Sequence, residues 1–173
     1  YDALIKTHSK QLDWDWRLLA SQVYQESKFN PSAESWAGAT GLMQVMPATA
    51  KDLKIKNLSD PHESMRGGTK YLKEIYNKFK NIPNPLDRIK FTLAAYNCGY
   101  GHVLDAQRLA ENKNLDSTIW TNHVEKAILE LRHPRHYNKP FIKYGYVRGS
   151  EPVNYVKQIF ERYGHYKEFV DID

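Results

Sequence analysis

Apolar residues recur along this chain at the spacing of one helix face, and helix-stopping residues stand between the runs. From Leu12 to Phe29, Leu18, Leu19 and Val23 share a stripe, with Asp13 or Asp15 available to cap its start. Asn30-Pro31 closes that run, because the residue before proline avoids the α region. Residues 32–46 are rich in Ser, Ala and Gly and read as a loop with at most short extended pieces, after which Pro47 can open a helix. Asp60-Pro61-His62-Glu63 is a strong helix start, and Tyr71, Leu72, Ile75 and Phe79 carry the stripe onward to about Phe79. Gly67-Gly68 inside that helix either admits a close neighbour or weakens its first turns. Pro83 and Pro85 bracket a turn, and Leu86 to Asn97 reads as a helix closed by Gly99. Shorter helices are expected at 101–112 and 117–131, and a last one from Ser150-Glu151-Pro152 to about Tyr163, stopped by Gly164. The pattern predicts an all-α fold with at most a very small β element. No repeat, low-complexity tract or linker divides it, so residues 1–173 are expected to form a single domain.

Composition narrows the function classes. At 173 residues the chain can bury a sizeable core, and an apolar fraction of 41% argues against disorder. The lone Cys98 excludes an internal disulfide framework and any multi-cysteine metal site. No apolar run approaches the roughly 18–20 residues of a membrane span. The chain opens at Tyr1-Asp2-Ala3 without Met or a signal segment, which suggests a processed or excised domain. With 25 Lys+Arg against 20 Asp+Glu the formal charge is +5, a mild bias toward anionic partners. The 12 Tyr, 6 Phe and 4 Trp exceed what a core needs and would suit a groove that stacks rings against sugars or bases.

Glu26 is the residue with chemical promise. It lies at i+7 from Leu19 and i+3 from Val23, so helix geometry turns it toward the apolar side. It also sits near the helix C-terminus, where the dipole disfavours negative charge. Both effects favour the protonated carboxyl that a general acid needs. Spacing alone leaves open a plain helix-edge glutamate with its head in water.

The neighbouring motifs add to this. Glu26-Ser27 is followed by Asn30-Pro31, then Gly38-Ala39-Thr40-Gly41-Leu42-Met43-Gln44-Val45-Met46-Pro47, later Ala94-Ala95-Tyr96-Asn97-Cys98-Gly99, and finally Ser150-Glu151-Pro152 with Tyr155-Val156. In this order the set resembles the catalytic domain of bacterial lytic transglycosylases, the soluble-lytic-transglycosylase-like group related to goose-type lysozyme. Within that group the likeness is nearest to the membrane-bound F branch, whose members carry a solute-binding-like domain upstream. The resemblance spans roughly Leu12 to Tyr163 and implies a lysozyme-like helical domain with a substrate cleft. It implies Glu26 as the sole catalytic acid/base and Ser35 as a substrate-contacting serine. Gln44 and Met46 would border the sugar site, Tyr96 and Asn97 would stand beside the acid, and Glu151 and Tyr155 would line the cleft. Trp36, Cys98 and the 132–149 loop depart from the family pattern.

A glycosidase of the two-carboxylate kind needs a second acid, and near Glu26 in sequence Asp15, Glu34 and Asp52 do not stand out as partners. One acid suffices where the substrate supplies its own nucleophile. N-acetylmuramic acid carries an acetamido group and a 6-hydroxyl able to attack C1. The expected reaction is therefore non-hydrolytic cleavage of the β-1,4 bond to N-acetylglucosamine, leaving a 1,6-anhydro end. A goose-type hydrolytic muramidase and an inactive glycan-binding module are the alternatives. The expected partner is peptidoglycan glycan strands, at the periplasm or cell envelope, with the chain acting as a monomer and without a cofactor.

Other features count for less. His133-x-x-His136 lies in a proline-bearing loop, so no metal is expected. Ser27 lacks a base and an orienting group for nucleophilic work. Met43 and Met46 could simply fill the core, and Tyr96 and Asn97 could be core and capping residues. The loop at 132–149 mixes Arg, Lys, His and Tyr, but no nucleic-acid motif accompanies it, so no nucleic-acid partner is expected. Its expected place is the border of the sugar groove.

Overall fold

The computed structural model describes residues 1–171. Among these the regular structure is helical, with two isolated antiparallel bridges, Glu34 to Thr40 and Thr40 to Val45. The helices are α1 (Asp2–Leu12), α2 (Trp16–Ser27), α3 (Pro47–Asp52), α4 (Pro61–Lys78), α5 (Pro85–Cys98), α6 (Tyr100–Asn112), α7 (Glu125–Glu130), α8 (Pro134–Tyr137) and α9 (Ser150–Phe169). The chain forms two compact units. The first takes in Tyr1–Lys73 and the chain from Gln158 onward, and the second is Glu74–Lys157, so α4 and α9 each contribute to both.

In the first unit α1 lies outside the expected elements. It buries Ile5, His8, Ser9 and Leu12, a face only half apolar, which is why its period is weak in the sequence. Leu12 ends α1 rather than opening α2. Asp13 turns left-handed (φ 58°), and Asp15 then caps α2 by accepting the Arg17 N–H at 2.9 Å. Asp15 also accepts from Arg17 Nη2 at 2.7 Å and from the Tyr163 hydroxyl at 3.0 Å. Burial alone would raise its carboxyl, but the hydrogen bonds from Arg17 and Tyr163 outweigh this and hold it below the ordinary range. The end of α9 packs along α2: Arg162 donates to Gln25 Oε1 at 3.2 Å and stacks on Tyr24, and Arg17 reaches the Val170 carbonyl at 2.8 Å. These contacts carry α9 through Gly164 to Phe169, beyond its expected end. One helical glycine costs only about 1 kcal/mol, which such contacts offset.

On α4 the glycine pair admits neighbours. A Cβ on Gly68 would run into the side chain of Met43, and one on Gly67 would press on Ile55. Both glycines are buried.

The second unit is built around Phe79, Phe91 and Trp120. The Phe91 ring lies 5.4 Å from Phe79 and 5.6 Å from Trp120, centroid to centroid, both in tilted or edge-on pairs. Asn84 caps α5 by accepting from the N–H groups of Leu86 and Asp87, so the helix opens at Pro85. Gly99, at φ 97°, separates α5 from α6. The helix expected over 117–131 is interrupted. Trp120–Val124 forms a wide turn with Thr121 and Asn122 outside helical angles, and α7 follows. The Asp87 carboxylate receives the Trp120 N–H at 3.0 Å and Glu125 receives that of Asn122, so side chains satisfy the groups the kink leaves free.

Candidate active site

The first unit holds four of the predicted site residues. Glu26 lies in the last turn of α2 and is half-buried. Its neighbour Ser27 is buried and donates to the Leu42 carbonyl at 3.0 Å, with the Val23 carbonyl at 3.2 Å. The end of α2 is thereby pinned to the loop that carries the Gly-Leu-Met-Gln segment. Ser27 is thus a fastener rather than a nucleophile.

Each residue of that segment has a physical task. Thr40 and Val45 exchange both backbone hydrogen bonds at 3.2 Å and close a four-residue loop between them. Gly41 has φ 85°, and a Cβ there would strike the Leu58 carbonyl and Ser64 Oγ. Leu42 and Met43 are fully buried anchors, and the Met43 N–H donates to Ser64 Oγ at 3.2 Å. Gln44, at φ 48°, donates from Nε2 to the carbonyls of Ala33 and Gly41, both at 3.0 Å. Ser35 closes the adjoining turn: its Oγ accepts the Ala39 N–H at 3.0 Å, and its own N–H donates to the Ala39 carbonyl at 2.9 Å. The turn presents Trp36 fully to solvent, and Met46, ahead of α3, is also exposed. The sequence reading passed over Ser64, since its partner is 21 residues away and no local pattern marks it.

The second unit holds the other four. Tyr96 is half-buried and Asn97 exposed, in the last turn of α5. Cys98 follows, and burial pushes its thiol up to about 12, so it stays protonated and unreactive at neutral pH. Glu151, in the first turn of α9, is exposed and faces Arg148 at 3.3 Å. Tyr155, one turn on, is buried.

Several shielded carboxylates are taken up by hydrogen bonds and ion pairs. Asp60 accepts the Glu63 N–H, Asp87 that of Trp120, and Glu125 that of Asn122. Asp105 is paired with Arg108 at 2.6 Å, and Glu63 with Arg66 at 2.9 Å. Burial would raise Glu130, but Lys113 at 2.6 Å holds it below the ordinary range, as Arg17 does Asp15. Glu26 is half-buried on the helix end that the motif loop fastens. As for metals, among the described residues no three His, Cys, Asp or Glu side chains gather in a way that could hold one. His133 and His136 instead accept from the Nε of Arg132 and Arg135.

Comparison with known proteins adds a separate line. The family model for the transglycosylase SLT domain matches residues 3–119. The chain is similar to the membrane-bound lytic murein transglycosylase F of Shewanella loihica, 45% identical over 151 residues, 87% of this chain and 31% of that protein. The protein of the same name in Yersinia enterocolitica is 44% identical over 156 residues, 90% of this chain and 31% of its own length. Among solved structures, the 70 kDa soluble lytic transglycosylase SLT70 of Escherichia coli superposes with a TM-score of 0.67 at 28% identity, covering 98% of this chain and 24% of that one. The chain spans about a third of the length of the curated relatives it matches. No helix among the described residues is long and apolar enough to cross a membrane.

Proposed function

This chain belongs to the transglycosylase SLT domain family, and from that premise we propose that it is a peptidoglycan lytic transglycosylase with Glu26 as its single acid and base. The observation that carries the reading is the setting of Glu26: half-buried, at the end of α2, on a helix end that Ser27 fastens to the Gly41–Gln44 loop.

In the proposed reaction the Glu26 carboxyl gives its proton to the oxygen that links N-acetylmuramic acid to N-acetylglucosamine. The bond from C1 to that oxygen breaks, and N-acetylglucosamine leaves with a free 4-hydroxyl. The acetamido group of the muramyl residue steadies the cationic C1. The Glu26 carboxylate then takes the proton of the 6-hydroxyl as O6 bonds to C1. The product is a 1,6-anhydro sugar, no water is consumed, and Glu26 ends the cycle protonated, as it began.

The remaining predicted residues take supporting parts. Ser35 and Gln44 hold the shape of the 32–46 loop through bonds to its own backbone, and the exposed Met46 offers an apolar surface beside it. Tyr96, Asn97, Glu151 and Tyr155 are assigned as further substrate-binding residues, a reading supported by the family motifs they match. We read residues 1–173 as one catalytic domain, acting as a monomer without a cofactor, on the cell wall in the periplasm or cell envelope.

Digestion of purified murein by the chain and by Glu26→Gln, with mass spectrometry of the released fragments, tests the proposal. Anhydro-ended fragments from the parent and at least a thousandfold loss in the variant are expected, since the sole acid is removed. Fragments heavier by one water reject the non-hydrolytic step. Cleavage that survives in Glu26→Gln rejects the assignment of the acid, and binding without cleavage by either protein leaves a glycan-binding module.

A further inference from the structure

We propose that the 143–149 segment of the second unit is a saccharide-binding platform on which the rings of Tyr144 and Tyr146 stack against pyranose faces. Both rings are well exposed, at 56% and 57%. Exposed aromatic rings on an ordinary loop would move freely, but these are held from beneath. The fully buried Asp105 carboxylate accepts three successive backbone N–H groups, those of Lys143 at 2.9 Å, Tyr144 at 2.5 Å and Gly145 at 3.2 Å. Arg108 completes the set at 2.6 Å. Gly145, at φ 79°, lets the three amides converge on one carboxylate.

The rest of the segment is anchored as firmly. Val147 is buried, and its N–H donates to the Leu131 carbonyl at 3.4 Å. Gly149 lies so close to the Ile128 carbonyl that no Cβ fits. The Tyr144 ring rests on the bare α-carbon of Gly101, with His102 edge-on at 6.3 Å, and Tyr146 stands edge-on to Tyr137 at 5.9 Å. The fold thus uses a buried charge, three glycines and an apolar anchor to fix two tyrosine rings in solvent. A pre-ordered aromatic surface loses little entropy on binding, and each ring offers an apolar face with a polar tip.

The basic side chains of the loop are oriented by their neighbours rather than neutralised. Arg132 and Arg135 donate to His133 and His136, Lys139 lies over the Phe141 ring, and Arg148 faces Glu151. Of these contacts the pairing of Arg148 with Glu151 is the one that offsets a charge, so it is the two rings, not the charges, that point to a sugar. The choice of a saccharide rests on the glycan-cleaving reading above.

The test measures binding of chitin hexasaccharide, which lacks lactyl and peptide groups, to the full chain carrying Glu26→Gln, by calorimetry. Replacing Tyr144 or Tyr146 with Ala is expected to weaken binding about tenfold each, and replacing either with Phe to leave it within about threefold. Asp105→Asn tests the positioning: it should weaken binding while a retained circular-dichroism spectrum shows the helices intact. Hexasaccharide affinity unchanged in the double Ala variant, no binding by the parent, or binding of a single-stranded oligonucleotide in its place each overturns the platform. Because the readout is binding, it stands apart from the cleavage test, so either reading can fail alone.

Discussion

Replacing glycine by alanine at two helical positions should change stability in opposite directions. Gly164 in α9 has open space around it, with no atom within 4 Å of an added Cβ. There alanine gains only the helix-propensity difference, about 1 kcal/mol in favour of the folded state. Gly68 in α4 has the same intrinsic gain available. Its added Cβ, however, would overlap the Cβ, Cγ and Cε atoms of the fully buried Met43. Atoms that close to a backbone cannot swing aside as the tip of a long side chain could. Overpacking of this kind costs about 1–3 kcal/mol. Taking the upper end and subtracting the propensity gain leaves Gly68→Ala destabilised by about 2 kcal/mol. The two variants then differ by about 3 kcal/mol, or about 6–12 °C in melting temperature for a chain of this size. Thermal unfolding followed by circular dichroism reads this directly. Equal stabilisation by both substitutions would refute the claim that Met43 packs against the Gly68 backbone. Since Met43 belongs to the loop that Ser27 fastens to α2, Gly68→Ala should also slow murein cleavage.

Ser27→Ala removes the buried bond to the Leu42 carbonyl; we expect a loss of about 1–1.5 kcal/mol in urea unfolding together with slower cleavage, and unchanged stability would dismiss the fastener role. Asp15 has a folded-state pKa below its ordinary 3.8, so its stabilising contribution is complete above that value and is lost as pH falls through the lowered one. The stability gap between the parent and Asp15→Asn, which keeps a capping oxygen, should therefore be widest at neutral pH and close in acid. A gap independent of pH would show that the charge has no part in it.

Much of the helical plan was legible in the residues. The stripe through Leu18, Leu19 and Val23, the Asp60-Pro61 start and the loop ending at Pro47 all follow from local rules: side-chain period, capping and the fixed φ of proline. The Gly67-Gly68 pair left open either a close neighbour or weakened first turns, and only the packing of Met43 and Ile55 decides between them. The candidate acid was legible through its motif, whereas the physical task of Ser27 was not, because its partner Leu42 lies 15 residues away.

Local rules failed where a distant contact decided. Gly164 reads as a stop, yet α9 runs on to Phe169, held on the near side of the glycine by Arg162 and Tyr163 bonded to Gln25 and Asp15, and just past the helix end by the Val170 carbonyl bonded to Arg17. The stretch at 117–131 reads as one helix, yet Asp87 and Glu125 satisfy the amides of a kink within it. The loop from 132 to 149 reads only as basic and aromatic, and the buried carboxylate of Asp105 gives three of its residues a fixed shape. Sequence alone thus determined where the backbone could be helical, since that depends on neighbours within a few residues. Tertiary structure decided which glycines break a helix and which side chains are fasteners, because those outcomes turn on groups that only folding brings within hydrogen-bonding distance.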